Sequence, residues 1–500
     1  MYRISITLLC LIVCGHELRA QVFPKEGGKL YYRIVGFSFP AQAWAVKYGI
    51  EVAAGSYNTE ADFEKNISIS LSSRSSKIIG EVPFFGSQYT WRILFFSKNM
   101  AKSKSILYHF STRTSPDVDS ATTRLRVTKG AEKYKDAYVF LDGTRVLYDM
   151  KGKPVWFLPG SDEVNQTTYP RDLKYTSRGT ITFITDFRPY EITYSGKLLW
   201  EYKGNRPNQP IDTFHHEFTR LQNGHYMGMM YGHQYNVLPG FEDSIARNKT
   251  DSAKFYQNTQ YTSLVEYDAD NRLVWRWSTL DYKNNSDVSL WTAAIRNKWD
   301  HDLHENSFYF DEARKVVYLS FRNLSRIIKI SYPGGNVIST YGTTFKPGLK
   351  SWENDLFSDQ HSCKLTSDSN LYIYNNNTRG ATHIPKVEVL QEPGKGSNNL
   401  KKIWEYQCTV EDSINTNAEH FHSGGNVVEL PGKSFFVSMN KPYCKVFIVG
   451  KDKKVLWSAI PEKYSKDKQK WEMPFELYRA SVIPNRAELE KMVWSAEKEE

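Results

Sequence analysis

Between about residues 28 and 115, apolar and polar positions alternate in short runs, at 29–35, 67–71, 88–96 and 106–112. A period of two with polar turns between the runs predicts strands that bury one face. Several short strands of this kind predict an all-β sandwich over residues 21–118, and the polar stretch 115–122 reads as a linker.

The order Tyr89, Trp91, Ile93, a polar turn and a strand closing on 110–113 resembles the end of a fibronectin type III module. From about residue 125 the chain repeats. A polar turn, a basic residue and apolar residues lead to Trp156, Trp200, Trp275, Trp404 and Trp457, with Tyr341 closing a degenerate copy. A further strand precedes several of these, and a strand–turn–strand such as 220–227 lies upstream. Each unit is therefore four strands, and about six units follow one another. One such unit cannot bury both faces alone, so radial repetition predicts a six-bladed β-propeller over 119–485. Residues 477–483 are placed to close the ring against its first strand. Residues 233–260 read as a loop inserted near the mouth, and the charged stretch 486–500 as an exposed helical tail.

The first twenty residues read as a secretory signal. Arg3 precedes the apolar run 4–13, and Ala20 is small at the cut. The run is too short to span a bilayer, and no later segment is apolar enough to do so. Cys14 offers a lipoprotein cleavage site as the alternative, against which Val13 is bulky. The expectation is export to the periplasm or beyond, with cleavage after Ala20 and no membrane span. Aromatics at 14%, with 13 Trp, 32 Tyr and 27 Phe, suit a large packed core and exclude a mainly disordered chain. The 65 basic residues against 55 acidic ones are scattered, so the net charge of +10 supports no nucleic-acid partner. Cys363, Cys408 and Cys444 remain after the signal: one disulfide with a free thiol, or three buried thiols. Their spacing fits no structural zinc motif.

Ten of the 12 histidines lie between His215 and His422. His215 and His216 precede Leu221; His304 and Asn306 precede Phe310; His361 precedes Leu365; His420 and His422 precede Val427. Each cluster enters the first strand of a successive repeat, and in a propeller those entries converge on one pocket. Pleat parity along the strand favours His215 over His216 for that pocket. Arg322, on the return strand after His304, adds a planar cation suited to a tetrahedral oxyanion.

These motifs resemble the bacterial, PAPS-independent arylsulfate sulfotransferases. The resemblance runs through residues 215–217 with 221–224, through 304–307 with 320–323, and through Gln360 and His361 before 371–374. It implies an exported six-bladed propeller that moves a sulfuryl group from an aryl sulfate to a phenolic acceptor, with no cofactor and no metal. It implies that His361 is the nucleophile, forming a sulfohistidine. His304, His215 and Arg322 would complete the catalytic set, and Asn306, His216, His422 and Asn426 would contact substrate. His420, His422, Ser423 and Asn426 compete for the contribution of the last repeat. The family's best-known members carry a short-range disulfide just before the nucleophile region, which these cysteines do not match. The sequence leaves a homodimer open.

Two other classes use the same residues. A secreted propeller could bind an anionic or aromatic ligand without turnover, or the histidines could hold a metal. Arg322 in the same pocket would repel a cation.

Overall fold

The computed structural model describes residues 22–160, 170–204, 213–237, 256–289, 303–346, 356–394, 399–411, 424–440, 443–472 and 477–495, with backbone only at 234–237 and 256–259. His420, His422 and the N-terminal twenty residues lie outside the described set. The chain is mostly β and divides into two units, Met1–Arg113 and Thr114–Glu500.

The first unit holds a six-stranded sheet around Ala45–Ala54 and Gln88–Ser97, and a two-stranded sheet of Ile34–Ser38 with Lys77–Glu81. Phe37 and Trp91, one from each sheet, pack with ring centroids 4.9 Å apart. Arg92 is buried beside Trp91, and Glu51 accepts its Nε at 2.7 Å, so the buried cation is matched.

In the second unit, six sheets each built on four antiparallel strands follow one another among the described residues, five of them on strands successive in the chain. Five begin on the strands Arg171–Tyr175, Phe214–Arg220, Glu305–Asp311, His361–Leu365 and Asn426–Leu430. The remaining sheet takes its leading strand from the end of the chain: Ala480–Ile483 pairs antiparallel with Tyr138–Leu141. Conversely, Thr123–Lys129 near the start of the unit pairs with the last sheet's strand Val455–Ser465. The two chain ends therefore complete each other's sheets.

The leading strands neighbour one another in a closed circuit, stitched by side chains that bond the next strand's backbone. Phe218 N donates to Asp172 at 3.0 Å, Phe308 N to Glu217 at 3.1 Å, and Cys363 N to Ser307 at 3.2 Å. Val427 N donates to Ser362 at 3.5 Å and Ala480 N to Asn426 at 3.0 Å, and Ser481 donates to Leu173 O at 2.9 Å. Short polar side chains at these positions satisfy backbone groups that the ladders leave over.

At the outer strands the recurring tryptophans do the equivalent work. Nε1 of Trp156 donates to Tyr194 O at 2.8 Å. Trp275 bonds Pro333 O, Trp404 bonds Lys451 O and Trp457 bonds Met150 O, each at 2.9 Å. Each indole thus reaches a turn of the following sheet, and Trp457 returns to the first.

Two expectations are corrected. Both described ends of 233–260 are strand: Tyr226–Val237 pairs with Tyr256–Tyr267 through Val237 and Tyr256, because the Tyr-rich alternation continues past the apolar core. The described part of the expected exposed tail, residues 486–495, is docked. Helix Arg486–Ser495 buries Leu489, Met492 and Val493, and Ser495 bonds Gly179 O at 2.8 Å. These three apolar residues recur at helical spacing and form its docking face.

Candidate active site

Four leading strands share a local irregularity where they enter the ring. Their pairing slips between Arg171 and Lys174, His215 and Phe218, Glu305 and Ser307, and His361 and Lys364. Within or just before each slip one non-glycine residue takes a left-handed backbone: Asp172 (φ 56), His216 (φ 58), His304 (φ 53) and Ser362 (φ 54). That conformation costs on the order of 1 kcal/mol for each such residue. A bulge re-aims the side chains beside it.

The bulge reverses the parity expectation for the histidine pair. His216 faces the cluster, its ring edge-on to His304 at 5.2 Å and to Tyr478 at 5.6 Å. His215 lies one layer behind, stacked on Tyr231 at 3.8 Å, with its Nδ1 2.6 Å from Nδ1 of His216. Thr262 Oγ1 is 3.2 Å from Nε2 of His215 and donates to Glu305 at 2.9 Å.

His361 is almost fully buried, and its Nδ1 lies 2.7 Å from Oδ1 of Asn376 and 3.2 Å from Asp359 O. Both oxygens are acceptors, so Nδ1 carries the hydrogen and Nε2 the lone pair. Gly424 N points at that Nε2 from 3.3 Å. Burial holds the His361 pKa well below 6.5, and the charges of Arg322 and His304 reinforce it. The same is true of His216, through burial and then His215, His304 and Arg479. Both rings are therefore neutral bases near neutral pH. Tyr478 stands between them, 6.3 Å from the His361 ring, and its buried hydroxyl has no hydrogen-bond partner among the described residues.

Arg322 is anchored by its own amide, which donates to His304 O at 2.9 Å, and by Nη1 to Asn323 at 3.1 Å; Asp359 is 3.8 Å away. Asn306 is fully buried, and its Nδ2 donates to Gln360 O at 2.7 Å. It therefore braces the strand that carries His361. Asn426 departs from its expected substrate contact. Both ends of its amide are used by Ala480, donating to O at 2.7 Å and accepting from N, so it holds the ring. The Gly424–Gly425 pair is needed where it stands. Both have positive φ, and a Cβ on Gly425 would sit 2.3 Å from the Tyr374 ring.

Beneath the histidines lies Arg479. Its Nη1 is 3.0 Å from Asp172 and 3.4 Å from Glu217, and Nη2 donates to Asn306 O at 2.7 Å. Burial opposes its charge, but Glu217 and Asp172 outweigh burial and raise its pKa. A cavity of about 860 Å³ is lined by Lys174, Lys364, Glu217 and Phe308 but by none of the clustered histidines, so volume alone does not mark this site. Among the described residues, no group of three His, Cys, Asp or Glu side chains is arranged to hold a metal. The three cysteines are buried free thiols.

The arylsulfotransferase (ASST) family model matches residues 125–423, more than half of the chain. The chain belongs to that family. Membership points to aryl sulfotransfer in general terms, with small-molecule substrates. No curated protein matches this sequence significantly. Solved structures with similar traces are distant. A Bacteroides caccae protein of unknown function has a TM-score of 0.39 at 10% identity, covering 72% of this chain and 99% of its own. A periplasmic gluconolactonase from Pseudomonas aeruginosa has a TM-score of 0.31 at 8% identity, covering 73% and 100%. Overlap at that level assigns no chemistry. No described helix is long and apolar enough to cross a membrane.

In this arylsulfotransferase-family chain, sequence reasoning missed Asn376, Tyr478, Arg479 and Thr262. Tyr478 and Arg479 lie at the start of the segment 477–483 read as closing the ring and directly precede the strand Ala480–Ile483, so the rule that found the histidines applies to them as well. Asn376 follows the strand after His361, where the sequence shows only a run of three asparagines.

Proposed function

We propose that this chain is a six-bladed β-propeller enzyme that moves a sulfuryl group from an aryl sulfate ester to a phenolic acceptor through a sulfohistidine at His361. The observation that carries this is the His361 ring itself, with Nδ1–H committed to Asn376 and the Nε2 lone pair held neutral beside Arg322. A neutral imidazole of fixed tautomer is a competent nucleophile, and a covalent intermediate divides one transfer into two.

In the first step the Nε2 lone pair attacks sulfur, the bond from sulfur to the aryl oxygen breaks, and its electron pair leaves on the phenolate. In the second, the acceptor oxygen attacks sulfur, the N–S bond breaks, and its pair returns to Nε2 as the acceptor loses its proton. Arg322, His304 and the Gly424 amide are the donors for the sulfuryl oxygens, and the Tyr478 hydroxyl is a further one. Fixed donors at a water-poor site supply transition-state stabilisation without reorganisation. The ester brings its own activated sulfuryl group, so the chemistry calls for no nucleotide donor. Export on a cleaved N-terminal signal to the periplasm, a fibronectin-like fold for the first unit, and a homodimer belong to the same proposal.

The test is phenol release from 4-nitrophenyl sulfate by metal-free protein, with and without added phenol. Release stimulated by the acceptor and abolished by His361→Ala supports the proposal. Absence of release from a panel of aryl sulfates contradicts it.

A further inference from the structure

Glu305 neighbours His304 in sequence but faces away from the cluster toward Thr262, whose hydroxyl it accepts at 2.9 Å. Thr262 is itself immobilised. Its N donates to Thr279 Oγ1 at 3.0 Å, and that hydroxyl donates back to Thr262 O at 2.9 Å. An ionised carboxylate has no hydrogen to give, so the one hydroxyl hydrogen of Thr262 is committed to Glu305. Nε2 of His215, 3.2 Å from the same oxygen, must then be the donor. A neutral ring with its hydrogen on Nε2 has its lone pair on Nδ1. The 2.6 Å contact between the two Nδ1 atoms is therefore donated by His216, which leaves the lone pair on His216 Nε2. One carboxylate thus sets the tautomers of two histidines.

If Glu305 instead carries a proton, every hydrogen in the series reverses over the same contacts. Glu305 donates to Thr262, Thr262 to His215 Nε2, and His215 Nδ1 to His216 Nδ1, and His216 presents an N–H at Nε2. Both arrangements keep both rings neutral.

We propose that Glu305, Thr262 and His215 form a proton relay behind His216, loaded when the acceptor phenol is deprotonated and emptied when the donor's phenolate departs. This rests on the transfer chemistry proposed above. In the donor half, the departing phenolate takes the hydrogen from His216 Nε2. His215 Nδ1 passes its hydrogen to His216 Nδ1, Thr262 passes its own to His215 Nε2, and Glu305 gives its proton to Thr262. In the acceptor half, each transfer runs backward, and the phenol's proton is stored on Glu305. The groups that face His216 are His215, His304, His361, Tyr478 and Arg479, and the relay moves the proton without making an imidazolium of His216 or His215. An imidazolium there would be disfavoured by burial and by the neighbouring guanidinium. Glu305, Thr262 and His215 act through His216 and are positioning residues.

Thr262→Val cuts the relay while preserving shape, and the donor's leaving group reports the cut. Phenyl sulfate releases a basic phenolate that needs a proton, whereas 4-nitrophenolate departs as a stable anion. Single-turnover phenol release from phenyl sulfate is expected to fall about a hundredfold in Thr262→Val, with only a few-fold change for 4-nitrophenyl sulfate. Thr262→Ser should recover both donors. Equal loss for both donors, or loss for neither, would overturn the relay. A wild-type protein that releases phenol from neither donor would overturn the transfer chemistry and the relay with it.

Discussion

Nδ1 of His361 lies 2.7 Å from Oδ1 of Asn376, and the opposite ring nitrogen faces the Gly424 amide at 3.3 Å. The asparagine amide holds the hydrogen on Nδ1 and therefore decides which nitrogen is nucleophilic. Replacing Asn376 by Ala removes one buried hydrogen bond, about 1 to 3 kcal/mol, so kcat/KM should fall roughly ten- to a hundredfold. Asn376→Asp keeps the geometry but places a carboxylate against the ring, which favours the imidazolium. Its pH–rate profile should show the acid limb moved upward, by comparison of kcat/KM between pH 5 and 8.

Burial, then Arg322 and His304, hold the pKa of His361 well below 6.5. The reactive neutral ring therefore persists below the usual histidine range, and kcat/KM should stay level as pH falls through 6.5. Arg322→Gln removes the guanidinium charge beside the ring and should raise the acid limb. The same shift bears on stability. Below pH 6.5 the unfolded chain takes up protons that buried His361 and His216 do not, so stability should decline as pH falls beneath that value and be flat above it. Denaturant midpoints across pH 5 to 8 measure this.

Arg479 is the one cation within 3.5 Å of both Asp172 and Glu217 among the ion pairs of the described residues. Arg479→Leu would leave two buried carboxylates under-compensated, although Lys174 still reaches Asp172 at 2.6 Å. A loss of about 3 to 5 kcal/mol is expected. Adding Asp172→Asn to that variant should recover part of the loss, as a shift in the denaturant midpoint.

The tryptophans permit an internal comparison. Trp457 and Trp200 are both buried, but Nε1 of Trp457 bonds Met150 O while Nε1 of Trp200 has no partner among the described residues. Substitution of each by Phe should therefore cost about 1 kcal/mol more at Trp457, the net worth of one hydrogen bond. Chemical denaturation of the two variants decides it.

Much of this was legible because the repeat is legible. Trp156, Trp275, Trp404 and Trp457 recur in sequence because each must meet a turn of the following sheet. His216, His304 and His361 recur because each follows the same entry into a leading strand. What the pattern could not supply was the bulge. Alternation assigns a pleat only while the ladder is regular, and at the slip beside His216 the backbone turns left-handed, putting His215 behind its neighbour. Asn426 misled for a related reason: a polar residue at a strand entry serves equally as ligand or as stitch, and only the Ala480 backbone shows which. The terminal helix was misjudged because its charges outnumber Leu489, Met492 and Val493, although three apolar residues at helical spacing suffice to dock it.

The most direct test of the central claim is to mix the protein with 4-nitrophenyl sulfate without acceptor, quench, and map the peptides by mass. A sulfuryl increment on the peptide carrying His361, discharged by added phenol and missing from His361→Ala, is the expected result. Turnover with no covalent increment, or with the increment on another residue, would contradict it.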